Sequence, residues 1–299
     1  MTKLTARLRE LLSASGVLMA AGAFGPMPAK LAVEEGFDAV YMPGGGIAMN
    51  RLGVADVGLL TQTEMTDAAA AIARSVGVPV IADADTGFGN QLNVQRTVRE
   101  YERAGVSAIH IEDQVFPKKC GHFVGKSVIP MEEAAQKIRA AVAARSDPDF
   151  MIIARCDALA VTDFDDVVHR CKAYREAGAD MLFVDAPRSL EEIAEIPRRI
   201  PGLHLYNQSA GGKIPFLTAG QVGELGYKLM IFPNFSALAA MKAIRELFAE
   251  IRGTGTVAGV VDRCATFKEF TVLGDLERFN EVERRFAAAE EASQWSMQE

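Results

Sequence analysis

Eight short apolar runs, each ending in polar or acidic residues, constrain this chain more than anything else in it. Four follow a helical stretch and a glycine: EEGFDAVYMPGG, RAGVSAIHIEDQ, EAGADMLFVDAP and ELGYKLMIFPN, with the glycines at Gly36, Gly105, Gly178 and Gly226. Glycine there suits the left-handed residue that commonly ends a helix. The unbroken apolar run behind it suits a strand buried on both faces. The other four runs, VLMAAGAFG, VPVIADADTG, FMIIARCDA and LHLYNQSAGG, fall between them. The two sets predict strands near 18–23, 38–42, 79–83, 107–112, 151–155, 181–185, 203–207 and 229–232. Most are separated by segments with helical periodicity, such as NVQRTVREYERAG and MEEAAQKIRAAVAAR. Strands and helices alternating in this way indicate an α/β fold, a (β/α)8 TIM-type barrel. An open doubly wound sheet is the alternative, but no GxGxxG follows the first strand.

A chain of 299 residues has room for that barrel, over 1–255, and for a C-terminal helical extension over 256–299. The stretch TFKEFTVLGDLERFNEVERRFAAAEEA is more helix than eight β/α units require. That surplus suits packing on the barrel or on a neighbouring subunit. A net charge of −7 argues against a nucleic-acid partner, and the densest basic stretch, Lys118, Lys119 and Lys126 beside two acids, suits a small anion better than a phosphate backbone. No apolar run reaches the roughly 18 residues of a membrane span. The opening MTKLTARLRELLSASG reads as an amphipathic helix, not a secretory leader. Cys120, Cys156, Cys171 and Cys264 show no CxxC or zinc-type spacing. A reduced, cytoplasmic protein is the expectation.

In a barrel of this kind, chemistry gathers at the C-terminal ends of the strands. Those ends carry Tyr41 and Gly44–Gly46, Asp83 and Asp85, Glu112 and Asp113, Arg155 and Asp157, Asp185, and Asn207. Asp83 and Asp85 lie two apart, so their side chains point the same way. Two carboxylates beside Glu112 repel unless a cation or a proton sits between them. All-oxygen donors suit Mg²⁺, or Mn²⁺, rather than zinc. The competing reading is that these acids cap the next helix. Arg155 suits a bidentate grip on a carboxylate or phosphate, or else a structural ion pair with Asp157 or Asp185. The Gly44–Gly46 run offers backbone N–H groups to an anion. His110, inside a strand, reads as a core histidine.

The loop KKCGH places a thiol, Cys120, among Lys118, Lys119 and His122. Cations that hold a thiol's pKa near neutrality make it a good proton donor to a carbanion. Gly121 leaves such a loop free to move as a lid. An incidental cysteine in a surface loop is the alternative. The other three cysteines suggest no role and no partners.

Taken in order, DADTGFGN, IEDQVFPKKCGH and ARCDA resemble the isocitrate lyase/phosphoenolpyruvate mutase superfamily, over nearly the whole chain to about residue 255. The cysteine points to the lyase branch, whose loop reads K-[KR]-C-G-H; the phosphonate mutases, phosphonopyruvate hydrolases and oxaloacetate decarboxylases generally lack it. The resemblance implies a barrel whose last helix is swapped between subunits, usually in a homotetramer. It implies Mg²⁺ near Asp85, with Asp56, Asp83 and Glu112 around it. It places Tyr41, Gly44, Gly45, Gly46, Asp83, Gly121, Arg155, Asp185 and Asn207 at the substrate, and Lys118, Cys120 and His122 in the catalytic loop.

The activity so implied is Mg²⁺-dependent cleavage of a 2-hydroxy di- or tricarboxylate, a 2,3-dialkylmalate or 2-methylisocitrate, to pyruvate and a second carboxylate. Cys120 then delivers a proton and Tyr41 accepts the hydroxyl proton. An oxaloacetate decarboxylase and a non-catalytic dicarboxylate-binding barrel are the alternatives. Several positions depart from the family pattern. Pro43-Gly44 stands where Ser-Gly is usual, Cys156 follows Arg155 in place of threonine, and Asp185 replaces a glutamate. KKCGHF lacks the two arginines typical of methylisocitrate lyases. GHFVGK and VDAPRS sit closer to the branch that handles substituted malates.

Overall fold

The computed structural model describes residues 3–121, 123, 125–211 and 215–296. Its strands are β1 (Leu18–Gly22), β2 (Ala39–Met42), β3 (Val80–Asp83), β4 (Ala108–Glu112), β5 (Met151–Cys156), β6 (Met181–Val184), β7 (Leu203–Asn207) and β8 (Leu229–Phe232). They run in sequence order around a closed parallel barrel. β8 closes it by pairing with β1 from Leu18–Leu229 to Ala21–Phe232. Every strand boundary falls within one residue of the apolar run that predicts it.

The runs are continuous because both strand faces are covered. Every residue of β3, β4, β5 and β6 is buried. One face packs outward against helices, where Ile72, Val98, Ile138 and Ile193 meet Val80, Ile109 and Ile152. The other fills the barrel with Ile81, Ala108, Met151, Ile153, Met181, Leu205 and Leu229. Leu8 and Leu12 of the helix Leu4–Ser13 join that inner cluster. Arg9 of the same helix bonds to Asp149 O and Asp180 Oδ1, just before β5 and β6. This helix therefore stoppers the N-terminal end and leaves the C-terminal end for chemistry.

The four helix-ending glycines have φ of +85° (Gly36), +89° (Gly105), +101° (Gly178) and +100° (Gly226). A side chain at any of them would be strained in that left-handed region. After β3, the helix Gln91–Ala104 takes its cap from Asn90, whose Oδ1 accepts from Leu92 N at 3.0 Å. Asp83 and Asp85 are therefore not its caps, and they stay at the strand end.

By compactness the chain divides into Met1–Ala239 and Ala240–Glu299. The division falls inside the helix Phe235–Thr254. The second unit continues that helix and adds the helices Phe267–Leu273 and Leu276–Ser296. It exposes Phe248, Phe267, Phe270, Phe279 and Phe286. Among the described residues no helix is long and apolar enough to cross a membrane.

Candidate active site

The acids at the ends of β3 and β4 form one wall. Asp83 uses both oxygens: Oδ2 accepts from Gly44 N at 3.1 Å, and Oδ1 from Asp85 N at 2.9 Å. Asp85 sits in the left-handed region, φ 47°, which turns the chain immediately after the strand. Lys118 reaches in from the loop after β4, its Nζ 2.5 Å from Asp56 Oδ1 and 2.8 Å from Asp85 Oδ1. Glu112 is buried, and neither carboxylate oxygen has a hydrogen bond among the described residues. Its closest cation is Arg155, with Nε 3.3 Å from Oε2.

Burial and charge pull these acids apart. Burial opposes ionisation of Asp83, but His110, Lys118 and Arg155 together hold its pKa down at about 2. For Asp85, burial wins over Lys118 and, with the charges of Asp83 and Asp56, pushes the pKa up to about 6. Burial lifts Glu112 well above the carboxylate range despite Arg155. Burial also disfavours charge on Lys118, yet Asp85, Asp83, Glu112 and Asp56 outweigh it and keep the ammonium charged. Lys118 thus serves the acid set. The sequence had grouped it with the thiol.

Across the mouth, Tyr41 Oη lies 2.7 Å from His110 Nε2. Asp83 Oδ1 is 3.6 Å from the same nitrogen. Burial lowers the pKa of His110 to about 4 against the pull of Asp83, so the ring is neutral. Burial, and then Asp83, raises Tyr41 well above the phenol range. His110 is fully buried, as a core histidine should be, but its nitrogen belongs to the site. A strand buried on both faces gives no sign of which residues point into the barrel.

Arg155 makes both ion pairs that the competing reading offered. Its Nε and Nη2 donate to Asp157 Oδ2 and Oδ1 at 2.8 and 3.0 Å, and Nη2 reaches Asp185 Oδ2 at 3.2 Å. Asn207 Nδ2 donates to Asp185 Oδ1 at 3.2 Å. Arg155 nonetheless faces a cavity of about 40 Å³ that it shares with Tyr41, Gly45, Asp83, Cys120 and Asn207. Larger surface clefts, about 460 Å³ beside Arg99 and about 360 Å³ beside Leu59, lack this convergence of acids, arginine and thiol.

The loop after β4 roofs this cavity. Cys120 N donates to Asp56 O at 3.1 Å. Gly121 lies so close to Asp185 that a Cβ there would overlap Oδ2. Lys119 turns away, its Nζ bonding Gly125 O at 3.0 Å. His122 lies outside the described residues.

Gly44, Gly45 and Gly46 begin the helix Gly44–Leu52. Asp83 already takes the N–H of Gly44, which leaves those of Gly45 and Gly46 for an anion at the helix N-terminus. Lys126, the third lysine of the basic stretch, pairs with the protein's own acid instead of waiting for an anion: its ammonium lies 3.1 Å from Asp157 Oδ1. Gln114, to which the sequence assigns no role, donates to the same oxygen at 3.1 Å. Cys171, assigned no partner from sequence, contacts the buried thiol of Cys156.

The phosphoenolpyruvate phosphomutase family pattern matches residues 8–252. The chain belongs to the PEP mutase/isocitrate lyase superfamily. A 2,3-dimethylmalate lyase from Eubacterium barkeri is 50% identical over 282 residues, which cover 94% of this chain and 98% of that protein. A 2-methylisocitrate lyase from Aeropyrum pernix is 45% identical over 280 residues, 94% of this chain and 89% of that one. A solved phosphonopyruvate hydrolase in complex with oxalate and Mg²⁺ superposes with a TM-score of 0.85 at 34% identity, covering 95% of this chain and 99% of that one.

Charge decides whether a divalent cation fits this member of the superfamily. Six carboxylates (Asp56, Asp83, Asp85, Glu112, Asp157 and Asp185) face three cations, Lys118, Lys126 and Arg155. His110 is neutral, so the excess of negative charge needs protons or a cation. Among the described residues no three His, Cys, Asp or Glu converge tightly enough to hold an ion by themselves. Mg²⁺ does not require that, since it commonly takes one or two carboxylates and fills its shell with water and substrate. The donor chemistry therefore fits a hard divalent ion, and the unbonded oxygens of Glu112 agree with that.

Proposed function

We propose that the protein is a carbon–carbon lyase cleaving a 2-hydroxy dicarboxylate to pyruvate and a second carboxylate. A 2,3-dialkylmalate is favoured over 2-methylisocitrate. The observation that carries this reading is the thiol of Cys120, which lines the same cavity as Tyr41, Asp83 and Arg155. A decarboxylase can leave protonation of its pyruvate enolate to water and needs no thiol there. The identity to a 2,3-dimethylmalate lyase along nearly the full length supports it. Phe123, where an arginine would suit a third carboxylate, supports the dialkylmalate.

Arg155 grips the carboxylate beside the hydroxyl, with the free N–H groups of Gly45 and Gly46 and the amide of Asn207 completing the clamp. A bound Mg²⁺, held by Asp85 with Asp83, Asp56 and Glu112 around it, would supply the Lewis acid that lowers the pKa of the substrate hydroxyl. Tyr41 takes the hydroxyl proton. Because it is a neutral phenol, it passes its own proton along the 2.7 Å bond to His110 Nε2. The C2–C3 bond breaks as C2 becomes a ketone, and its electrons go to C3. The thiol of Cys120 protonates C3. Lys118 offsets the charge that builds on the second product.

Exposed Phe267, Phe270, Phe279 and Phe286 support a C-terminal segment that packs on a neighbouring subunit in a homotetramer. A cytoplasmic location is proposed from the cysteine spacing, which shows no CxxC or paired pattern. The test of function offers the protein, with Mg²⁺, dimethylmalate, methylisocitrate, isocitrate, citramalate and oxaloacetate, and measures pyruvate and glyoxylate separately. Pyruvate from dimethylmalate is expected, and Cys120→Ser abolishes it. Oxaloacetate as the best substrate, with Cys120→Ser still active, overturns the reading.

A further inference from the structure

Lys126 belongs to the loop over the cavity, where a lysine ordinarily keeps its ammonium in water. Here only 2% of its side chain is exposed. Its Nζ donates to Gly121 O at 2.7 Å and to Asp157 Oδ1 at 3.1 Å, with Asp185 Oδ2 at 3.7 Å. Gly121 follows Cys120 directly, so this ammonium holds the backbone that presents the thiol.

Asp157 Oδ1 is also where the loop's neck meets the substrate-facing arginine. Gln114 Nε2 donates to it at 3.1 Å and Arg155 Nη2 at 3.0 Å. Gln114 in turn clamps Lys119 from both sides, accepting from its N–H at 3.0 Å and donating to its C=O at 2.8 Å. Neck and returning limb of the loop thus converge on one carboxylate oxygen that already orients Arg155, and the returning limb's lysine holds the tip.

We propose that Lys126 is the latch of this loop and a positioning residue for both Cys120 and Arg155. Raising the loop would strip Asp157 of Lys126 and Gln114 and leave Arg155 as its remaining strong partner. Closure over substrate and the setting of the carboxylate clamp are then a single event. The latch depends on the proposed lyase activity only for its effect on turnover.

The experiment follows alkylation of Cys120 by iodoacetamide in the full-length protein, reading the Cys120 peptide by mass spectrometry, with no substrate present. Lys126→Met removes two charge-assisted hydrogen bonds, and losing even one of ordinary strength changes an opening equilibrium by roughly tenfold to a hundredfold. Lys126→Met should speed Cys120 alkylation by about that factor. Lys126→Arg, which keeps the charge, should stay within about threefold of the parent. Removing a nearby cation would by itself raise the thiol's pKa and slow labelling, so acceleration reports opening. Lys126→Gln keeps a donor for Gly121 O and should fall between, and it decides the matter if the methionine variant does not fold. In turnover, kcat/KM should drop in Lys126→Met and recover in Lys126→Arg. Labelling of Cys120 in Lys126→Met within twofold of the parent overturns the latch. Labelling that accelerates in a protein that cleaves none of the hydroxy acids overturns the lyase reading alone.

Discussion

The phenol of Tyr41 is bonded at 2.7 Å to a histidine, His110, that stays neutral down to about pH 4. Burial holds both groups uncharged at rest, so in the proposed mechanism the proton that Tyr41 hands on makes His110 transiently cationic, 3.6 Å from Asp83 Oδ1, and no phenolate is stored. Tyr41→Phe removes the relay and only one hydroxyl. It is expected to lower kcat by about 10²–10⁴-fold, the range of one general-base group. Stability should fall by only about 1 kcal/mol, the order of one hydrogen bond. Urea denaturation beside steady-state kinetics measures both. A variant with near-parental kcat would remove Tyr41 from the mechanism.

With Asp85 as the proposed cation ligand, its protonation is expected to set the pH response of Mg²⁺ binding. Its folded pKa is raised to about 6, so below that value a metal must displace a proton to reach the carboxylate. Above it the carboxylate is already ionised and affinity levels off. Mg²⁺ affinity is therefore expected to weaken, by up to about tenfold per pH unit, as the pH falls below that value. Calorimetry in two buffers of different ionisation enthalpy will show proton release on the acid side and little at about pH 8. Asp85→Asn should weaken binding and flatten this dependence. Equal affinity and no proton release on the acid side would contradict the assignment.

Gly121 is the tightest point of the roof. A Cβ there would overlap Asp185 Oδ2 and stand 3.0 Å from Arg155 Nη2, so the loop tip rests on the carboxylate itself. Gly121→Ala should hold the loop off Asp185 and cost about 10²-fold in kcat/KM through misplacement of Cys120. The melting temperature should hardly move, because the position belongs to the roof and not to either apolar cluster. A large drop in melting temperature would instead make Gly121 a structural glycine.

The barrel was legible because strands buried on both faces must be apolar throughout, and helix ends marked by glycine separate them. The acids were legible for a related reason. Asp83, Asp85 and Glu112 interrupt apolar runs where a barrel places its active site. What could not be read is what loops do in space. Lys118 lies 62 residues from Asp56, and Lys126 lies 31 from Asp157. In the sequence both belong to one basic stretch around the thiol, and nothing there says which distant carboxylate each will meet. His110 was read as core because a strand without polar alternation hides which face looks inward. The break at Ala239/Ala240 left no mark, since the helix Phe235–Thr254 runs straight across it.

Asp113, next to Glu112, carries no chemistry and is expected to matter to the fold beneath the site. Its Oδ1 accepts from Asp157 N at 2.8 Å, and its Oδ2 from Tyr174 Oη at 2.7 Å, with Arg170 Nη1 at 3.4 Å. Its own backbone carbonyl accepts from Ile129 N at 2.9 Å, and Ile129 O accepts from Arg170 at 2.9 Å. The buried carboxylate thus ties the end of β4 to the end of β5 and to the helix Phe164–Glu176, while the backbone of the same residue holds the returning limb of the loop. Asp113→Ala leaves the Asp157 amide and the Tyr174 hydroxyl unsatisfied, and should cost about 3 kcal/mol. Asp113→Asn keeps one acceptor. Burial, and then the charge of Asp157, already raises the pKa of Asp113, so losing its charge is tolerated better and the cost is nearer about 1 kcal/mol. Urea midpoints at constant m-value give both figures. An alanine variant as stable as the parent would show that this network is bridged by water rather than held by Asp113.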